Sequence, residues 1–460
     1  MAGANTVARE LRALLGDDAV LPGTTRRYLR DATENGRIAG RADAVALPAD
    51  AEQVRRVLAW CYEHDVALTP RGGGTGLAAG AVPVEGGVVV SLERLAGAPA
   101  IEPELWRARV AAGTTTAQLQ RRAREEGLLF APDPGAPEQS QVGGNIATNA
   151  GGPHAFKYGV TGRWVTGLEV VLAPGELVTI GGSVRKDVAG YDLRSLIVGS
   201  EGTLGVVTAA WLRLVPAPER QLPVVGMYGD ARGGCAALAA VMASGLQPAA
   251  IEYIDETASH AAIGAFPGQA PDRPAFMLIA EADGSAAEAQ RLAAELVEVM
   301  SSGALAVHAP EAPADVRALW RWRAGVPLAA IAARNGKVSE DIAVPLDRLH
   351  EAIERTLEIG ERHRLPACSW GHAGDGNLHS TLMIDLEDAG EIARAERAAQ
   401  DLFELAAELG GTVSGEHGVG LVKRGALALQ WPERALDLHE GVKALFDPKG
   451  LLNPGKKLAR

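Results

Sequence analysis

The chain has 460 residues, enough for two or three domains at ~100–200 residues each. With 47% hydrophobic and 22% charged residues it has the balance of a soluble globular protein. No apolar run reaches the length of about 18 residues that a membrane-spanning helix needs. A formal net charge of −12 disfavours a nucleic-acid partner, and Cys61, Cys235 and Cys368 are too few for a disulfide framework or a cysteine-held iron–sulfur cluster. The start, MAGANTVARELRALLGDD, has neither the charged nor the long apolar region of a secretory signal. The expected location is therefore cytoplasmic, with peripheral attachment at the inner face of the membrane as the alternative.

Residues 1–31 read as helical with polar faces, and ADAVALPAD (42–50) as a strand. AEQVRRVLAWCYEHD (51–65) is an amphipathic helix with Val54, Val57, Leu58 and Cys61 at helical spacing. VALTP (66–70) is a strand that delivers a glycine cluster, RGGGTGLAAG (71–80), and GGVVVSLERL (86–95) is another strand. Further clusters follow at 143–152, 199–205, 371–376 and 414–420, the kind of sequence that lets backbone amides approach a bulky ligand.

Within the first cluster, Gly74-Thr75-Gly76-Leu77-Ala78-Ala79 matches the GxGxxA dinucleotide fingerprint, and Glu93 stands near the spacing of a ribose ligand. A Rossmann fingerprint must open a crossover helix. Here Gly80, Pro83, Gly86 and Gly87 follow at once and break it, which disfavours a nicotinamide dehydrogenase. The expectation is instead a loop that wraps phosphates with its own amides, Arg71 adding a charge-assisted contact. The region 160–215 is rich in strands and closes at Pro216 and Pro218, a domain boundary.

PRGGGTGLAAGAVP, PDPG, QVGGNIATNAGG, KYGVTGRWVTGLEVVL, KDVAGYDLRSLIVGSEGTLGVVT and FDPKGLLNPGK together resemble the FAD-linked oxidases of the vanillyl-alcohol-oxidase type, in their D-lactate, glycolate and D-2-hydroxyglutarate dehydrogenase branch. The resemblance runs from about residue 38 to Lys456. It implies an α+β protein: a two-part FAD-binding domain over 1–217, with its core at about 38–217, then an antiparallel-sheet substrate domain covered by helices over 218–460, whose last segment returns to the flavin. It also implies that FAD contacts Arg71, Gly72, Gly73, Gly74, Thr75, Gly76, Asp133, Gly143, Gly144, Asn145, Thr148, Asn149, Gly151, Gly152, Gly159, Glu201, Gly202, Gly205, Val207 and Asn453. Covalent members of the wider family carry histidine where this chain has Thr75, so the flavin is expected to be held non-covalently.

Beyond residue 221, strand-like VVGMYG, AAIEYID and AFMLIAEADG alternate with helical ARGGCAALAAVMASG and AAEAQRLAAELVEVMSSG, and three further helices follow, beginning at 345, 387 and 431. In SWGHAGDGNLHSTLMID (369–385), a two-residue turn at Asp375-Gly376 would pair His372 directly with His379 on one face. Glu416 offers a third, hard oxygen ligand. Two imidazoles and a carboxylate leave open coordination positions, as catalytic divalent sites do. The resemblance implies the same ligands, His372, His379 and Glu416, for zinc, with manganese or iron as alternatives.

His417, next to a ligand, is the candidate general base. By resemblance Arg323 binds the substrate carboxylate, with Arg321 as the fallback, and Asn377 orients the substrate. Cys368 is either a spare ligand or simply buried. Pro327 and Ser339 stand where the 2-hydroxyglutarate branch has a hydroxyl residue and a lysine, so a distal carboxylate would lack its clamp unless the nearby Lys337 reaches in. A small monocarboxylate 2-hydroxy acid is expected, with a quinone, a partner subunit, a cytochrome or oxygen accepting electrons, and a homodimer as the oligomeric form considered. A metal-independent flavin alcohol oxidase would leave the histidines without a joint role. A non-catalytic FAD electron-transfer subunit would leave the base and arginine without one.

Overall fold

The computed structural model describes residues 4–34 and 38–459. Its contacts divide the chain into two compact units: residues up to Gly152 with Gly159–Ala217 and the segment from Glu416 onward, and Pro153–Tyr158 with Pro218–Gly415.

The first unit contains two main sheets. In one, β1 (Val20–Pro22), β2 (Ala44–Ala46), β4 (Val88–Ser91) and β3 (Leu68–Arg71) lie in that order, with β2 and β3 both parallel to β4. The helix Ala51–Glu63 starts where Asp50 accepts the Gln53 amide at 2.7 Å, and it buries Val54, Val57, Leu58 and Cys61. The connection from β3 to β4 contains no helix, so the glycine cluster is a loop and the fold is not Rossmann. The second sheet is antiparallel, in the order β5 (Ala100–Glu102), β6 (Arg107–Ala111), β10 (Val206–Arg213), β8 (Val165–Leu172), β9 (Glu176–Gly181). A small pair joins β7 (Leu128–Leu129) to β11 (Val215–Pro216).

The second unit is built on a seven-stranded antiparallel sheet. Its order is β15 (Ala306–His308), β12 (Arg220–Tyr228), β14 (Phe276–Gly284), β13 (Ala250–Asp255), β17 (Ala367–His372), β18 (Asn377–Ile384), β16 (Gly336–Ala343). The helices Ala231–Ala243, Ala286–Met300, Leu349–His363 and Ala389–Glu408 pack on the sheet. The second of these opens with a Ser285/Glu288 capping box. Glu256–Ala262 and Pro313–Arg334 cover the face where Val225, Ile254, Met277, Ile279, Cys368 and Trp370 form an apolar core. Cys368 is buried in that core.

Two elements escape the sequence pattern. Pro313–Arg334 is a 22-residue helix despite Gly325 and Pro327 in its interior. Strand β16 carries Lys337, Glu340 and Asp341, all buried, where a strand in a core would show apolar residues.

Strands β17 and β18 do not pair as the two-residue turn requires. His372 stands opposite Asn377, and Trp370 opposite His379. The cause is a longer connection, a 3-10 turn over Ala373–Asp375 closed by Gly376 at φ +68°. The shift is two residues, so every side chain keeps its face. Gly371 lies between Trp370 and His372, where a Cβ would sit 2.2 Å from the carbonyl oxygen of Asn377. Gly371→Ala is therefore expected to force the hairpin apart at a cost of about 1–3 kcal/mol, read as a lower denaturation midpoint with an unchanged m-value. An unaltered midpoint would show that the strands yield without cost.

Candidate active site

In the first unit, the glycine cluster forms a cradle of backbone. A Cβ on Gly73 would lie 1.9 Å from Gln139 O, and one on Gly143 would lie 2.8 Å from the Ala112 Cβ, so these positions exclude any side chain. Gly76 and Gly144 are less crowded: a Cβ there would be in ordinary contact with Asp31 Oδ2 at 4.0 Å and with Gly72 Cα at 3.9 Å. Such a surface fits a large phosphate-bearing cofactor held by amides. Arg71 is buried, donates to Arg30 O at 2.7 Å and lies over the Tyr28 ring, and burial lowers its pKa.

Several side chains expected at the cofactor hold loops in place. Asn145 donates to Thr116 Oγ1 at 2.7 Å, Thr148 to Gly144 O at 3.1 Å, and Asn149 accepts from the Gly162 amide. Asn453 donates to Gly80 O and Glu201 O at 2.9 and 2.7 Å. The Glu201 carboxylate accepts the amides of Val419 and Gly420 at 2.8 and 2.7 Å, which fixes the stretch following Glu416 and His417. Gly152 abuts Asp133, where an added Cβ would come within 2.6 Å of its oxygens. Gly159, Gly202 and Gly205 each leave room only for hydrogen, against Arg163, Pro70 and Leu172, while Val207 is buried. A Cβ on Gly151 would lie 2.8 Å from Glu416 Oε2, so the second glycine run passes directly beside that carboxylate. His417 Nε2 lies 3.9 Å from Glu416 Oε1.

In the second unit, alternation along β13, β16, β17 and β18 brings Glu252, Asp341, His372, Asn377 and His379 to one face. His372 and His379 are diagonal neighbours, with ring centroids 5.4 Å apart and ligand nitrogens within 4.8 Å. Asp341, directly opposite His379, offers an oxygen within 4.8 Å of it. This donor set suits a divalent ion.

Glu252, absent from the candidates read in the sequence, sits on β13 beside His372 on this face. Its carboxylate meets His372 Nδ1 at 2.6 Å and Arg323 Nη2 at 2.6 Å, and it is 0% exposed. Burial pushes its pKa up, but His372 and Arg323 outweigh that and hold it below the usual carboxylate range. Its only signal in the sequence is a charge inside the apolar run AAIEYID. Arg323 projects inward from the helix Pro313–Arg334, and its Nε is buried without a hydrogen-bond partner. Arg321, two residues away on the helix, is exposed, which removes it as the fallback.

Asn377 spends both amide hydrogens on Asp341 Oδ1 and Ile342 O, at 2.7 and 2.8 Å, and leaves a buried, unpaired carbonyl oxygen. Asp341 also accepts from Ser414 Oγ at 3.0 Å, and Gly415 is pressed so closely that a Cβ would lie 2.2 Å from Asn377 Nδ2. The next residue is Glu416, whose Cα the peptide bond keeps about 3.8 Å from that of Gly415. Ser339 bonds Thr381 at 2.8 Å, whereas Lys337, on the same face of β16, is buried with its ammonium 5.1 Å from the Trp370 ring centre. The face therefore does hold a second cation, contrary to the reading from Ser339 alone. Pro327 lies in the helix interior and offers no donor.

Residues 42–181 match the FAD binding domain family, and residues 217–457 match the C-terminal domain of FAD linked oxidases. Glycolate oxidase subunit GlcD of Bacillus subtilis (strain 168) is 36% identical over 424 residues, covering 91% of this chain and 89% of its own. D-lactate dehydrogenase of Anaerostipes hadrus is 34% identical over 427 residues, 90% of this chain and 89% of its own. Among solved structures, p-cresol methylhydroxylase with substrate bound shares the fold with a TM-score of 0.79 at 19% identity, over 98% of this chain and 96% of that one. Among the described residues no helix is long and apolar enough to cross a membrane.

Proposed function

From the premise that the chain belongs to the FAD-linked oxidase family, we propose that it oxidises a small 2-hydroxy acid of the D-lactate or glycolate type to the 2-oxo acid. The reading is carried by one observation. A histidine pair with metal-ligand spacing and a buried arginine with a free donor share a single sheet face. The names of the relatives support the substrate class.

FAD, held non-covalently because Thr75 has no imidazole to offer, supplies the acceptor for the hydride leaving the substrate's Cα. A divalent ion, zinc or alternatively manganese or iron, supplies the Lewis acidity that makes the hydroxyl a usable acid, as it lowers the pKa of bound water from 15.7 to about 7. His372, His379 and Glu416 would hold that ion. Glu416 is supported by the chain itself, since Gly415 packs on Asn377 and Asp341 and the carboxylate belongs to the next residue.

The remaining residues act on the substrate. Arg323, through its unpaired Nε, binds the carboxylate of the 2-hydroxy acid and fixes its orientation. The buried carbonyl oxygen of Asn377 accepts from the 2-hydroxyl as the substrate binds, and orients it before the proton leaves. An imidazole nitrogen of His417 takes the hydroxyl proton, and the Glu201 carboxylate keeps the following loop residues fixed while it does so. Electrons then pass to a quinone, a partner subunit or a cytochrome.

The substrate class is tested with purified holoenzyme, a dye acceptor and both enantiomers of several 2-hydroxy acids. D-lactate or glycolate should show the highest kcat/KM, above D-2-hydroxyglutarate and above the L-enantiomers. A clear preference for the dicarboxylate would overturn that class and give Lys337 the distal carboxylate. Activity confined to alcohols or phenols without a carboxylate would overturn the whole reading. For the base, His417→Gln should lower kcat by about 10²–10⁴ with FAD retained. A change confined to KM would make His417 a binding residue.

A further inference from the structure

The Glu252 carboxylate is fully buried in a strand whose neighbours are apolar, and it makes two short contacts of 2.6 Å, one to each kind of binding element on its face. A lone carboxylate is strongly disfavoured there, so the position is built around its partners. An ionised carboxylate only accepts hydrogen bonds, so His372 Nδ1 must carry the proton in this contact. In the neutral imidazole that a metal ligand has to be, the lone pair then belongs to the other ring nitrogen, Nε2. The same carboxylate holds one terminal nitrogen of Arg323 and leaves Nε without a partner.

We infer that Glu252 is a positioning residue that fixes His372 with Nε2 presented as a metal ligand and at the same time fixes Arg323 for the substrate carboxylate. The inference rests on the metal reading of His372 given above. It adds a residue that touches neither ion nor substrate yet sets the geometry of both contacts. The Arg323–Glu252 pair brings no net charge, so the face can take up a divalent ion and an anionic substrate together. Outer carboxylates of this kind orient ligating histidines and raise their basicity, and their loss costs 10–100-fold in metal affinity. Glutamine cannot replace it: its single oxygen can accept from His372 or from Arg323, and its amide then opposes the other donor.

The test is a zinc titration of chelator-stripped protein with FAD bound, in wild type, Glu252→Gln, His372→Ala and the double variant. Glu252→Gln should bind zinc about 10–100-fold more weakly than wild type. In the His372→Ala background the same substitution should add no further loss, because there is no Nδ1–H left to orient. Equal zinc affinity in wild type and Glu252→Gln overturns the inference and leaves the metal reading standing, as does a full further loss in the His372→Ala background. Wild-type protein that binds no zinc overturns the metal reading and this inference with it. Should Glu252→Gln not fold, Glu252→Met with Arg323→Met removes the buried pair together, a replacement cores often tolerate. It should show the same loss of zinc affinity, and wild-type affinity in that protein overturns the inference.

Discussion

A carboxylate with no access to water, Glu252, lies between an arginine and a histidine at 2.6 Å from each, and much of the second unit is arranged to make that possible. The arginine must come from a helix lying across the sheet, so Pro313–Arg334 packs there, with Leu319, Trp322, Val326 and Ala330 providing its apolar anchorage. The histidine must come from the neighbouring strand, so the pairing of β13 with β17 is fixed. A slip of one residue in that pairing would turn His372 away and leave the buried carboxylate with one of its two partners, Arg323. The neighbouring acids on this layer follow the same rule. Glu281 accepts from His154, Gln221 and Trp320, and Asp283 is met by Lys157 and Tyr158. Buried charge persists here because each one has its partners.

In the proposed reading the two units bind by different means. The first relies on backbone: glycines at 72–74 and 143–144 remove side chains, while Asn145, Asn149, Glu201 and Asn453 spend their polar groups on holding the loops still. The second relies on side chains projected from strands, the more rigid platform for a reacting site. Chemistry that needs ligand atoms held to a fraction of an ångström belongs on a sheet. Wrapping a long cofactor suits loops.

Much of this was legible in the sequence, for identifiable reasons. Glycine clusters and the broken crossover helix excluded a Rossmann fold because backbone rules act locally. The helix at Ala51–Glu63 and the alternating strands of the second half show their period directly. The histidines were placed on the correct face through a wrong register, because side-chain direction depends only on parity and the error was two residues. Strand β16 has no apolar signature to read, because its buried residues include the charged Lys337, Glu340 and Asp341. Glu252 was missed for the complementary reason: nothing local reveals that a charged residue in an apolar strand meets Arg323, 71 positions later, and His372. For Asn377 the resemblance implies a substrate-orienting amide, but not that its hydrogens serve Asp341 and Ile342, a detail only tertiary contact sets.

The central claim is that a bound divalent ion at His372 and His379 is required for the substrate to give up its hydride. It is tested most directly by an anaerobic half-reaction. Protein stripped of metal by a chelator, with FAD still bound, is mixed with D-lactate or glycolate while the visible flavin band is followed. The account predicts that the band persists in stripped protein and bleaches once zinc or manganese is returned. Bleaching at the full rate in metal-free protein would contradict it.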